Sequence, residues 1–241
     1  MSGIGLKIVE KLLPDCNSIC VLDNDKKKIG EFSKLYSKND KICFYHTDVS
    51  DENNVIKTLN DYLGKYPKID CLINSAGILI DKPLVGLSLE KKELNLLESK
   101  EWDRVIKTNL YGVFYVSKKV IKDMVQNRLK GVVINIGSIS SAGNHGQSSY
   151  AASKAAINAL TVTWAQELSN FGIRVNCVAP GMTDTPMPNN AMSKEHLNHW
   201  EKKIPLRRFA DPSEIADAVL FCIKNNYING RTIEIDGGLR M

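Results

Sequence analysis

Gly131-Val-Val-Ile-Asn-Ile-Gly137-Ser138 is followed, after a short polar stretch, by Tyr150-Ala-Ala-Ser-Lys154. The apolar run between two glycines reads as a buried strand, and the amphipathic stretch 149–170 behind it reads as a helix. The same alternation extends outward in both directions. Strands are expected over 18–23, 41–46 and 69–74 on one side, and over 172–178 and 231–235 on the other. Helices are expected over 3–13, 25–38, 51–65, 99–127 and 212–225. Strands that alternate with helices imply right-handed crossovers and a parallel sheet covered on both faces. The expected fold class is therefore α/β, a doubly wound parallel sheet, formed by residues 1–241 as one domain.

Two stretches interrupt this rhythm. Residues 78–98 carry Leu84, Leu87, Leu89, Leu94, Leu96 and Leu97 among lysines and glutamates. Residues 182–204 follow a Pro-Gly and contain Pro186, Pro188 and a helical patch. Segments this long in a compact domain are often lids or binding loops.

Composition narrows the function classes. Of 241 residues, 43% are hydrophobic and 24% charged, a balance that excludes a disordered, collagenous or coiled-coil chain. No run of 18 apolar residues exists, so no membrane span is expected. The net charge of +5 is mild, and its only tight basic run, Lys26 to Lys28, reads as the solvated start of a helix. No nucleic-acid motif accompanies it, so no nucleic-acid partner is expected. Cys16, Cys20, Cys43, Cys71, Cys177 and Cys222 form no CxxC pair, and four of them lie in apolar runs. This fits a reducing, cytoplasmic compartment. His196 and His199 stand three apart without a third ligand nearby, so no metal site is expected.

Tyr150 and Lys154 share one helix face at i, i+4, which points phenol and ammonium into one site. A free tyrosine has a pKa near 10; a neighbouring cation favours the phenolate and would make it a usable general acid/base. Ser138 stands at the carboxyl end of the strand, where side chains of a parallel sheet meet the ligand crevice. Its hydroxyl can hydrogen-bond a substrate oxygen. No G-x-S-x-G elbow is present, which disfavours a serine hydrolase.

With these residues the chain resembles the short-chain dehydrogenase/reductase family. The matches are Gly3-Ile4-Gly5, Asp48-Val49, Asn74-Ser75-Ala76-Gly77, Asn109, Ser138, Tyr150 with Lys154, Pro180-Gly181 and Asp236-Gly237-Gly238. Any one is weak; their order and spacing together are specific. The resemblance implies a Rossmann-type sheet and an NAD(P)-dependent oxidoreductase. It implies that Tyr150 moves the hydroxyl proton, and that Lys154 holds the nicotinamide ribose and lowers the tyrosine pKa. Ser138 would orient the carbonyl. Asn109 would disturb its helix and hold a water that links Lys154 to solvent.

The resemblance also assigns the cofactor contacts. Gly3, Ile4 and Gly5 match the pyrophosphate loop, where glycine admits close backbone approach and the helix N-terminus favours negative charge. Asp23 ends the strand 18–23, where a carboxylate accepts both adenosine ribose hydroxyls and repels a 2′-phosphate. It therefore points to NAD, with NADP possible because Lys26 to Lys28 are near. Asp48 and Val49 match the adenine-contacting pair, and Asn74, Ala76 and Gly77 match the NNAG turn. Pro180, Gly181, Thr183 and Thr185 match the stretch at the nicotinamide end.

The expected reaction moves a hydride between nicotinamide and a secondary alcohol or ketone. The chain is similar to bacterial 3-oxoacyl-acyl-carrier-protein reductases around Asn135 to Ser138 and at Gly146-Gln147. It is also similar to type II 3-hydroxyacyl-CoA dehydrogenases, which include 17β-hydroxysteroid dehydrogenases, in Asp23, in 81–98 and in its last residues. Both point to an acyl-CoA or acyl-carrier-protein thioester; the alternative is a cofactor-binding protein without turnover. The resemblance further implies a homotetramer, with helices 99–127 and 149–170 pairing across a two-fold axis. Family members begin with a strand of about half a dozen apolar residues before the glycine loop. Here Met1 and Ser2 stand where that loop should be, so the central strand is expected to be missing.

Overall fold

A computed structural model describes residues 2–88, 93–187 and 193–240. Four parallel strands form the larger sheet, in the order β3 (Cys71–Asn74), β6 (Gly131–Ile136), β7 (Ile173–Pro180) and β8 (Thr232–Ile235). A separate parallel pair is made by β1 (Ile19–Asp23) and β2 (Ile42–His46), in register from Ile19 opposite Ile42 to Asp23 opposite His46.

The period of two along each strand divides the core into two layers. Val132, Ile134 and Ile136 of β6 face a cluster with Ile8, Ile215 and Val219. Those three partners come from α1 (Gly3–Leu12) and α8 (Pro212–Lys224). Val133 of β6 and Val175 of β7 face the opposite cluster, with Val55, Leu59, Val116, Val120 and Met124. That layer is supplied by α3 (Glu52–Leu63), α5 (Gly112–Gln126) and α6 (Ser148–Leu168). Between β1 and β2, α2 (Lys26–Leu35) starts at Asp25, whose carboxylate caps the Lys28 amide at 3.1 Å. Lys26 to Lys28 thus form a capped helix start.

Among the described residues no strand lies between β1 and β3: β1 pairs with β2, and β3 with β6. The two inner edges instead wall a cavity of about 950 Å³, lined by the whole of Ile19–Asp23 and by residues 67–74. α1 spans the gap. Its Ile8 packs on the larger sheet, while Leu6, Val9 and Leu13 pack on the cluster of Val21 and Ile42. The chain therefore has the expected layers, with the facing edges of β1 and β3 unpaired among the described residues.

Two elements differ from the sequence expectation. The stretch 99–127 is not one helix: α4 (Ser99–Ile106) passes through a π-helical segment, Lys107–Tyr111, into α5. The stretch 78–98 holds an antiparallel hairpin, β4 (Val85–Ser88) with β5 (Glu93–Leu96). Its Val85, Leu87 and Leu94 are exposed. Leu89 lies outside the described residues, as does Pro188 of the second stretch. The helical patch of that stretch is α7 (Lys194–Lys203).

Candidate active site

The site is assembled where β6 ends. Gly137 follows the strand because a Cβ there would lie 2.6 Å from the Cys177 sulfur. Ser138 comes next, buried, its hydroxyl accepting from the Ser140 amide at 3.1 Å to start a 3₁₀ turn. One loop later α6 begins, with Tyr150 and Lys154 one turn apart on it. Lys154 Nζ donates to the Ile136 carbonyl at 2.7 Å and lies 5.6 Å from the centre of the Tyr150 ring. This one bond ties the helix that carries the acid/base pair to the strand that carries Ser138. Ser138, Tyr150 and Lys154 all line the large cavity.

The electrostatics overturn one expectation. Lys154 does not lower the Tyr150 pKa in this structure. Burial raises it, the Asp81 charge adds to the rise, and only the hydrogen bond with Ser138 pulls it down. The reason is that the lysine is itself buried. Desolvation brings its pKa down to about 8, and its ammonium is turned to a backbone carbonyl. Burial disfavours the charged form of both groups.

Asn109 sits inside the π-helical segment and is fully buried. Its Oδ1 accepts from the Ile78 amide at 2.8 Å, and its Nδ2 donates to the Ile78 carbonyl at 2.9 Å. A third bond runs from Nδ2 to Ser153 Oγ at 3.2 Å. Asn109 therefore locks the loop after β3 onto the widened turn. A Cβ on Gly77 would lie 3.5 Å from Asn109 Oδ1 and 3.8 Å from Lys154 Nζ. These are van der Waals distances, so the β3 loop passes close beside both side chains.

The proposed cofactor contacts divide into two groups. Gly3, Ile4, Gly5, Asp23, Val49, Ala76, Gly77, Pro180, Gly181, Thr183 and Thr185 line the cavity. Gly3 has φ +53, and a Cβ there would meet Thr185 Cγ2 at 2.9 Å, so the start of α1 and the loop after β7 close on one another. The N-terminus of α1 faces the cavity, where its amides favour an anion. Asp23 Oδ1 accepts from the Asp25 amide at 2.9 Å. Asn74 lines the cavity too, but its side chain is engaged elsewhere, and Asp48 behaves differently. Asp48 is absent from the described lining, and its carboxylate accepts from the Ser50 amide and hydroxyl at 2.9 and 2.7 Å. A turn uses it locally. The Asn74 side chain points into the sheet, donating to Ser117 Oγ and Asn135 Oδ1, both at 2.9 Å. A buried amide must have such partners.

Sequence reasoning missed one pair. Gln147, one turn before Tyr150, donates through Nε2 to Asp81 Oδ1 at 2.7 Å. Nothing in the spacing of 81 and 147 signals this contact. Only the folding of the β3 loop against the start of α6 creates it.

The family model described as enoyl-(acyl carrier protein) reductase matches residues 1–240. Two relatives are called 3-oxoacyl-[acyl-carrier-protein] reductase FabG. The one from Buchnera aphidicola subsp. Baizongia pistaciae is 35% identical, over 99% of this chain and 94% of that protein. The one from Thermotoga maritima is 39% identical, over 83% of this chain and 77% of that protein. Among solved structures, ElxO with NADP bound superposes with a TM-score of 0.84 at 27% identity, covering 98% of this chain and 94% of that one. A tyrosine-to-phenylalanine variant of ElxO with NADPH bound gives 0.85 at the same identity and coverage.

Proposed function

The chain belongs to the short-chain dehydrogenase/reductase family, and from that premise we propose that it reduces the 3-oxo group of acyl-carrier-protein thioesters. It is an NAD(P)-dependent oxidoreductase. One observation carries the reaction type: Ser138, Tyr150 and Lys154 line one cavity, with Gly77 beside the lysine. The substrate class rests on the activity that the relatives' names give.

The residues present fit a nicotinamide dinucleotide. The α1 N-terminus, Gly3 and Gly5 would receive its pyrophosphate, and Asp23 its adenosine ribose. Ala76, Gly77, Pro180, Gly181, Thr183 and Thr185 would enclose the nicotinamide half. When bound, the cofactor supplies the hydride. The protein supplies orientation and the proton. Ser138 and Tyr150 hydrogen-bond the substrate carbonyl oxygen from their hydroxyls, which polarises the carbon. Tyr150 then gives its phenolic proton to that oxygen. Its raised pKa keeps the phenol protonated at neutral pH, which suits the reductive direction. Lys154 would hold a ribose hydroxyl of the bound cofactor, and Asn109 keeps the lysine's surroundings in place.

Loss of only the phenolic oxygen tests this assignment. Tyr150→Phe is expected to lower kcat with acetoacetyl-acyl-carrier-protein by about 10²–10⁴-fold. Its dissociation constant for the cofactor should stay near that of the wild type. A variant that keeps most of its rate would show that another group gives the proton.

A cytoplasmic site of action is supported by the six cysteines, none of which is in a disulfide. Among the described residues, no helix is long and apolar enough to cross a membrane.

A further inference from the structure

The loop after β3 and the loop before α6 are joined at two points. The Lys82 amide donates to the Gly146 carbonyl at 2.6 Å, and Gln147 Nε2 donates to Asp81 Oδ1 at 2.7 Å. Lys82 is fixed in turn by its ion pair with Glu101 at 2.8 Å. The orientation of the Gln147 amide follows from chemistry, because a carboxylate accepts and must face the NH₂ end. The carbonyl end, Oε1, is thereby turned away from Asp81. It is buried and has no hydrogen-bond partner among the described residues. Gln147 is only 6% exposed, and it lines the cavity together with Ser138 and Tyr150.

A buried acceptor without a partner is costly, and such atoms in native folds ask for a reason. A small turn about the terminal amide torsion, which is soft, presents Oε1 to the cavity. Oε1 accepts only, so it calls for an N–H or O–H on the ligand. The acyl part of a 3-oxo thioester offers only carbonyl oxygens. The nearest donor is the first amide N–H of the arm beyond the thioester sulfur, and Gln147 lies one helical turn from Tyr150.

Resting on the thioester reading above, we propose that Gln147 is a specificity residue that accepts a hydrogen bond from the amide N–H of the thioester arm, with Asp81 as its positioning residue. Asp81 acts by holding the amide so that the acceptor end faces the ligand. The pair thus selects thioesters that carry an amide arm over simple ketones and esters.

Two matched substrates test this. The N-acetylcysteamine thioester of acetoacetate has the amide N–H, and S-ethyl 3-oxobutanethioate lacks it. The wild-type enzyme should favour the first by a lower KM. Gln147→Met, close in volume but without the acceptor, should shrink that preference about tenfold, chiefly through KM. Asp81→Asn should lose part of it, and the double variant should lose no more than Gln147→Met alone. Melting temperatures would identify a variant that fails to fold. An equal loss on both substrates, or an undiminished preference, would overturn the proposal. A wild-type enzyme that reduces both thioesters equally well would also overturn it, while leaving the reductase reading intact. Turnover of neither thioester with either cofactor would overturn that reading, and this proposal with it.

Discussion

At the scale of single residues, the site works at the expense of stability. Lys154 is charged inside the protein, where desolvation brings its pKa from 10.5 to about 8. Below pH 8 it is protonated both folded and unfolded, and the burial cost is fully present. Between 8 and 10.5 the folded form is neutral while the unfolded form still binds the proton, so stability rises with pH through that window. The whole shift corresponds to roughly 3 kcal/mol. Lys154→Met should therefore unfold at higher denaturant than the wild type at neutral pH, with the gap closing toward about pH 10. A gap that does not change with pH would assign the cost to packing. Asp23 makes a second residue-scale prediction. Its carboxylate at the end of β1 should favour NADH over NADPH, and Asp23→Ala should narrow the ratio of the two KM values. Lys28 lines the same cavity, and the solved ElxO structures carry NADP and NADPH. A wild-type preference for NADPH would mean that the basic side chains near Asp23 outweigh its repulsion.

At the scale of elements, the slot between β1 and β3 is the most exposed point of the design. Two parallel edges face one another there without ladder hydrogen bonds between them. α1 bridges the halves through Ile8 on one side and Leu6, Val9 and Leu13 on the other, and α3 does so through Leu59, packed with Leu22 and Val133, and Tyr62, edge-on to Tyr45. An apolar strand of about six residues, a typical strand length, placed before Ser2 has parallel partners waiting on both sides. Its addition should raise the melting temperature by several degrees and tighten cofactor binding, because it also fixes the glycines at the start of α1. Equal melting temperatures and affinities would show that α1 and α3 suffice to hold the halves together. The π-helical segment is a different case. One widened turn lets Asn109 reach back to Ile78, and insertions of this kind in helices are frequent at functional sites.

At the scale of the whole molecule, the outer faces of α4, the π segment, α5 and α6 each carry an exposed apolar side chain among polar and charged ones. Trp102, Tyr111, Phe114 and Val162 are exposed there. Val113 and Val116 of the same stretch are buried within the chain itself. The exposed set lies on the two helices expected to pair across a two-fold axis, and burying it removes aromatic surface from water. Light scattering should give a homotetramer, and Phe114→Glu should shift it to smaller species. A stable monomer for the wild-type chain would contradict this.

The sequence by itself determined the layer order and the acid/base pair. Strand and helix periodicity follow from local geometry, and an i, i+4 tyrosine and lysine share a face wherever that helix lies. The same locality made the Gly131–Ile136 strand legible together with Ser138 at its end. Tertiary structure decided what depends on neighbours far along the chain. Asn74 reads like a ligand residue, yet its side chain bonds Ser117 and Asn135 because its strand lies between α5 and the neighbouring strand β6. Lys154 reads like a cation that would acidify Tyr150, yet burial weakens its charge and raises the tyrosine instead. Asp81 and Gln147 stand 66 positions apart and meet only because the β3 loop closes on the start of α6. Hydrogen-bond partners and desolvation are properties of the packed interior, and no local pattern of residues encodes them.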